Sequence, residues 1–121
     1  MVDLLPTLAE WLEPVARVEV QFPAASDSMP VITLLETASA SSVILDNRER
    51  LSTHSFQVDV WDNGKNRKRC EEIAAQVNAV LLERGLSRSL AQSVEDPSGL
   101  HRKTMQFDCE LDEQTLYLHR R

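Results

Sequence analysis

The sequence predicts an α+β fold: a mainly antiparallel sheet of about four to six strands with two helices packed on one face. Two observations carry this. Apolar residues alternate with polar ones at Phe56/Val58/Val60 and again at Met105/Phe107/Cys109/Leu111, the period of a half-buried strand. Between them, Cys70, Ile73, Ala74, Val77, Val80 and Leu81 recur at spacings of three and four, which places them on one face of a helix. The chain has 121 residues, the size of one domain spanning 1–121.

In chain order, Leu4 to Leu12 forms a short helix with Leu4, Leu5, Leu8, Trp11 and Leu12 as its apolar stripe. Asp3 can cap it, Pro6 falls in the first turn where no N–H is needed, and Pro14 ends it. Val15 to Phe22 alternates as a strand, with Val18, Val20 and Phe22 on one side. Pro23 to Pro30 is a loop of small residues bounded by prolines. Val31 to Leu45 contains two apolar runs around Ala38-Ser39-Ala40-Ser41, and reads either as one long bent strand or as two strands with a joint. Asp46-Asn47 ends it, and Arg48-Glu49-Arg50 is a charged turn.

Leu51 to Trp61 is the next strand, with Gln57, Asp59 and Trp61 on the side opposite the apolar one. Asp62-Asn63-Gly64 breaks it. The helix spans about Lys65 to Arg84, with Gly85 as its stop. Leu86 to Val94 is a candidate strand, Glu95 to Gly99 a turn, and the alternation through Leu111 a strand with a wet face. Asp112 to Thr115 turns the chain so that Leu116 to His119 pairs back.

Charge is unevenly placed. Residues 1–46 hold one base, Arg17, against seven acids, whereas residues 47–121 hold twelve of each, so the net charge of −6 belongs to the first third. This argues against general affinity for nucleic acid phosphates. It suits solubility, a basic partner, or an acidic wall along which DNA slides without sticking. No apolar run is long enough to span a bilayer, and the start lacks the basic and apolar regions of a signal peptide, so a cytosolic origin and no membrane partner are expected. Cys70 and Cys109 read as small buried hydrophobes.

Few residues suggest chemistry. His54, His101 and His119 have no second ligand at metal spacing and read as surface or loop histidines. Asp108, Glu110 and Asp112 line one strand face, either as a carboxylate cluster or as the solvated side of an outer strand. No serine carries a nucleophile signature. No enzyme, no cofactor, and no catalytic or metal-binding residue is expected. Lys65, Arg67, Lys68 and Arg69 are less ordinary, because they crowd a helix N-terminus, where cations are disfavoured. Together with Arg48 and Arg50 they are the candidate subunit or partner interface.

The order of elements, the strand letters Phe56 to Asp62, the helix Glu71 to Leu81 and the final Asp112-x-x-Thr115 turn before Leu116 to Arg120 resemble the lambda-like tail-terminator group of tail-completion proteins from tailed phages and prophages. The resemblance covers most of the chain in layout. It implies a homo-oligomeric ring, commonly a hexamer, that caps the tail tube protein, presents a surface to a head–tail connector protein, and passes DNA only as cargo through its lumen. It implies assembly in the bacterial cytoplasm and residence in the virion tail or neck. A head-to-tail ring needs two complementary surfaces, which the basic cluster and the acidic first third would supply. The alternatives are a head-completion or stopper protein of the neck, a monomeric protein-binding adaptor, and a small enzyme using Asp108, Glu110 and Asp112.

Overall fold

A computed structural model describes residues 2–20 and 29–119. The elements are α1 (Leu5–Leu12), β1 (Arg17–Val20), β2 (Val31–Leu45), β3 (Arg48–Asp62), α2 (Lys68–Glu83), β4 (Ser87–Glu95), β5 (His101–Asp112) and β6 (Leu118–His119). They form one sheet of order β1-β2-β3-β5-β4, with β6 pairing the end of β5. All neighbours are antiparallel except β1 and β2, which run parallel. The α+β class therefore holds, with a sheet that is mixed at one edge.

Both helices lie on the face that carries Phe56, Val58, Val60, Phe107 and Cys109. Leu8 and Leu12 of α1 and Cys70, Val77 and Leu81 of α2 are sealed into the same cluster. Asp3 accepts the N–H of Leu5 at 3.1 Å and so caps α1 from just outside. The helix α2 begins at Lys68 rather than Lys65, because Asn66 Oδ1 takes the Lys68 N–H at 2.9 Å and Arg67 occupies the capping position. It ends in a Schellman arrangement: Leu86 N–H donates to the Leu81 carbonyl at 3.0 Å and Gly85 N–H to that of Leu82 at 3.2 Å.

Val31–Leu45 is one long strand, bent by irregularities near Thr37 and Ser42. The expected charged turn at Arg48–Arg50 is corrected. Asp46 and Asn47 both hold positive φ (54° and 60°), so they alone make a two-residue hairpin turn, and Arg48 already opens β3 opposite Leu45. Asp and Asn tolerate that backbone, which is why so tight a reversal fits here. The expected continuation of the first strand through Phe22, and most of the proline-bounded loop, lie outside the described residues.

The second face is not uniformly wet. Gln57, Asp59 and Trp61 do point away from the helices, but Asp59 and Trp61 are buried, as are Val31 and Thr33. Trp61 Nε1 donates to Thr33 Oγ1 at 2.9 Å, the Arg102 guanidinium lies 4.6 Å over the Trp61 ring, and Arg102 pairs with Asp59 at 3.0 Å. An aromatic, a guanidinium and a carboxylate thus cover one end of that face. At the other end, Ala38 and Ala40 of β2 are exposed beside the polar rows of β3 and β5.

Candidate functional site

The basic residues are set by the chain reversal between β3 and α2. Asp62 ends β3 fully buried. Its carboxylate accepts the Asn63 N–H at 2.9 Å and two bonds from Arg69 Nε at 3.0 and 3.1 Å, and Arg69 Nη2 also contacts it. Burial pushes this carboxyl up, but the Arg69 hydrogen bonds and charge, with the N–H groups of Asn63 and Gly64, outweigh burial and leave it below its ordinary value. Arg67 turns the other way: Nη2 donates to the Arg102 carbonyl at 2.7 Å, and Nε stands 3.6 Å from Glu71. Glu71 also receives Lys103 at 3.1 Å and Ser93 Oγ at 3.1 Å. Burial again opposes, and these donors again win, so the Glu71 carboxyl is lowered.

The four bases therefore divide. Arg67 and Arg69 are turned back onto their own chain, which offsets the cost of cations at a helix N-terminus. Lys65 and Lys68 are exposed and form no ion pair among the described residues. Both lie, with Gly64, Asn66, Arg69 and Glu72, around a shallow surface hollow. Arg48 is exposed at the hairpin end of β3. Arg50 is half-buried and close enough to Asp112 to help lower that carboxyl, after the Thr115 and Gln114 N–H groups that dominate there. The structure does not bring Arg48 and Arg50 together with Lys65 and Lys68: the first pair sits at the start of β3, the second beyond its end.

The acids on β5 also divide. Ser55 Oγ donates to Asp108, while Asp112 Oδ1 accepts the Gln114 and Thr115 N–H groups at 2.9 and 3.2 Å and so shapes the turn toward β6. Among the described residues no group of three or more His, Cys, Asp or Glu converges to hold a metal ion. Nor is any helix there long and apolar enough to cross a membrane.

His54 corrects the expectation of a surface or loop histidine. It is 1% exposed in β3, and its ring stacks over Phe56 at 6.1 Å. Its Nε2 meets Ser52 Oγ at 2.8 Å, and its Nδ1 stands 3.8 Å from Glu36. Ser52 also donates to Glu113 Oε1 at 3.0 Å. The order Ser52–His54–Glu36 has the outline of a nucleophile relay. Yet Ser52 is sealed at 0% exposure, so no reacting atom can reach its oxygen. The hydrogen bonds run from His54 through Ser52 to Glu113 and tie β3 to the turn after β5; His54 Nδ1 makes none, standing 3.8 Å from Glu36 of β2. The far end of this run, Glu113, is distant in the chain, and only the even-numbered parity of His54 with Phe56 hinted at burial.

None of the curated proteins compared matches this chain. The family model described as Tail completion protein gp17 matches residues 4–110, a span from α1 through most of β5. A chain matched over that length, with an α+β fold, belongs to this family of tail-completion proteins, and its role lies in phage tail morphogenesis.

Proposed function

We propose that this protein is the tail-terminator subunit: it closes into a homo-oligomeric ring, a hexamer in the assembled tail, caps the tube protein, and presents the surface that the head–tail connector meets. The match to the tail-completion family over residues 4–110 carries this reading. The charge pattern supports it, because a head-to-tail ring needs two unlike surfaces on each copy. Acids dominate the first third of the chain, and Lys65 and Lys68 stand exposed at the start of α2. These two lysines, with Arg48, are the bases free to meet acids on a neighbouring copy or on the tube. Arg67 and Arg69 serve mainly to hold their own chain, and Arg50 sits half-buried near Asp112. DNA passes through such a ring as cargo. The protein would assemble in the host cytoplasm and stay in the virion.

The test is tube assembly in vitro. Tube protein polymerised with this protein should give shorter tubes, each with a ring at one end in electron micrographs. Lys65→Glu/Lys68→Glu should weaken capping at moderate salt while leaving the far-UV spectrum unchanged. Tubes of unaltered length, with no ring at either end, would refute the terminator role.

A further inference from the structure

Besides the short strands β1 and β6, the strand order leaves β4 and most of β2 with one bare edge each among the described residues. β4 ends the sheet on one side. On the other, β1 covers β2 only from Val31 to Leu34, so from Leu35 onward the outer edge of β2 has no strand partner among the described residues. Folded proteins usually guard bare edges with lysine, proline or charge. Here Ala38-Ser39-Ala40-Ser41 carries none of these, and keeps regular register between the irregularities at Thr37 and Ser42. Its counterpart on the far side is Leu90 to Glu95, regular in register after a bulge at Ser89, with Leu90 47% exposed.

We propose that β4 of one copy pairs antiparallel with the bare edge of β2 on the next copy, so that the sheets join into a continuous wall around the ring. This rests on the ring reading above. Polarity permits it. β2, β3, β5 and β4 alternate in direction, so rotation about an axis along the wall sets β4 beside an oppositely directed β2. Face continuity permits it too. Leu90 and Gln92 share a face with Gln106 and Thr104, and so do Ala40 and Ala38 with Thr53 and Ser55. Leu90 opposite Ala40, Ala91 opposite Ser39 and Gln92 opposite Ala38 keep that face unbroken, and the small alanines leave room for the leucine.

The offset of the two edges then has a meaning. Level pairing is blocked, because β4 stands level with the part of β2 that β1 covers. Leu90 lies level with Gln57 through Gln106, whereas Ala40 lies level with Thr53. The stagger from Gln57 to Thr53 is about 13 Å at a strand's rise per residue. Each copy adds the width of β2, β3, β5 and β4, about 19 Å at the usual strand spacing. The slope is about 35°, within the tilt of roughly 35–45° that closing a sheet into a barrel demands.

A designed cross-link tests this. In Ala40→Cys/Leu90→Cys, mild oxidation of rings, or of capped tubes if the free chain is monomeric, should give a ladder of covalent multimers on a non-reducing gel. Native Cys70 and Cys109 are fully buried and cannot join in. Both changed positions are exposed, so the far-UV spectrum should be unaltered. In the unmodified protein, amide exchange at Ala38–Ser41 should slow on assembly by tenfold or more. Rings of normal mass with neither ladder nor added protection would overturn this interface and leave the ring reading standing. A chain that neither forms rings nor caps tubes would overturn both. Cross-linking of Ala40→Cys to cysteine-labelled tube protein instead of a second copy would overturn the choice of partner.

Discussion

Gly85 offers a measurement of how tightly the helix layer is locked to the end of the sheet. It holds φ at +102°, and a Cβ there would stand 3.1 Å from the Leu118 carbonyl oxygen and 3.4 Å from the Leu118 Cβ. Gly99 holds a similar φ of +85° in an open turn, with nothing within 4 Å of such a Cβ. Gly99→Ala therefore reports backbone strain alone: about 1–3 kcal/mol for a side chain forced to that φ, offset by about 0.4–1 kcal/mol from the less flexible unfolded chain. A net loss of about 1 kcal/mol is expected. Gly85→Ala carries the same two effects and must also push β6 away from the end of α2, an overpacking cost of about 1–3 kcal/mol. The expected total is about 2–4 kcal/mol. Urea unfolding followed by far-UV circular dichroism separates the two, since roughly 2 kcal/mol shifts the midpoint by about 1 M at a slope near 2 kcal/mol/M. If Gly85→Ala costs no more than Gly99→Ala, the close approach of β6 to the helix stop contributes nothing to stability.

Two further outcomes follow from the charges and thiols. Asp62 and Glu71 are held below their ordinary carboxyl values, so the unfolded chain binds more protons than the folded one in acid. Their stabilisation is complete above the ordinary carboxylate range of about 4 and is lost as pH falls through the folded values; the urea midpoint should drop below pH 4 and Asp62→Asn should flatten that drop, whereas a variant profile parallel to the parent's would deny Asp62 its part. Burial pushes the Cys70 thiol up to about 11 and the Cys109 thiol up to about 12, so at pH 8 neither should react with a disulfide reagent until the chain unfolds, and rapid labelling of the native protein would contradict the sealed core.

The parts of this fold that sequence made legible are those where a single face decides burial. Phe56, Val58 and Val60 face the same core as Cys70, Val77 and Leu81, because periods of two and of three to four leave little choice of side. Where burial depended on partners far along the chain, the signal failed. Asp59 and Trp61 are covered by Arg102 and Thr33 on other strands, and His54 is held by Ser52, whose hydroxyl in turn donates to Glu113 far along the chain. The parallel pairing of β1 and β2 left no local mark either. In the basic cluster, proximity in sequence stood in for proximity in function. The buried Asp62 claims Arg69 and the Arg102 carbonyl claims Arg67, which leaves the two lysines outward. An aspartate at a strand end, followed by Asn-Gly and then by bases, was the available hint that one base would return to it.

The β2–β3 hairpin reaches farther than the sheet that supports it. β5 pairs with β3 only from Leu51 onward, and the Glu113 N–H after it still reaches the Arg50 carbonyl at 2.8 Å, so only Arg48–Glu49 and the facing Ile44–Leu45 stand as two strands alone. A two-stranded ribbon is marginal in water, and this one exposes Ile44 at 63% and Leu45 at 52%. Apolar side chains at a ribbon tip gain only part of their burial from folding, since no second layer among the described residues covers them. The helices cannot supply it, because α1 and α2 are already committed to the core over Phe56 and Phe107. The same limit applies to Ala38–Ser41 just behind the tip, whose outer edge lacks a strand partner among the described residues. A chain that stops its supporting sheet short of its longest hairpin leaves edge, tip and the arginine at the hairpin end of β3 without a covering layer among the described residues.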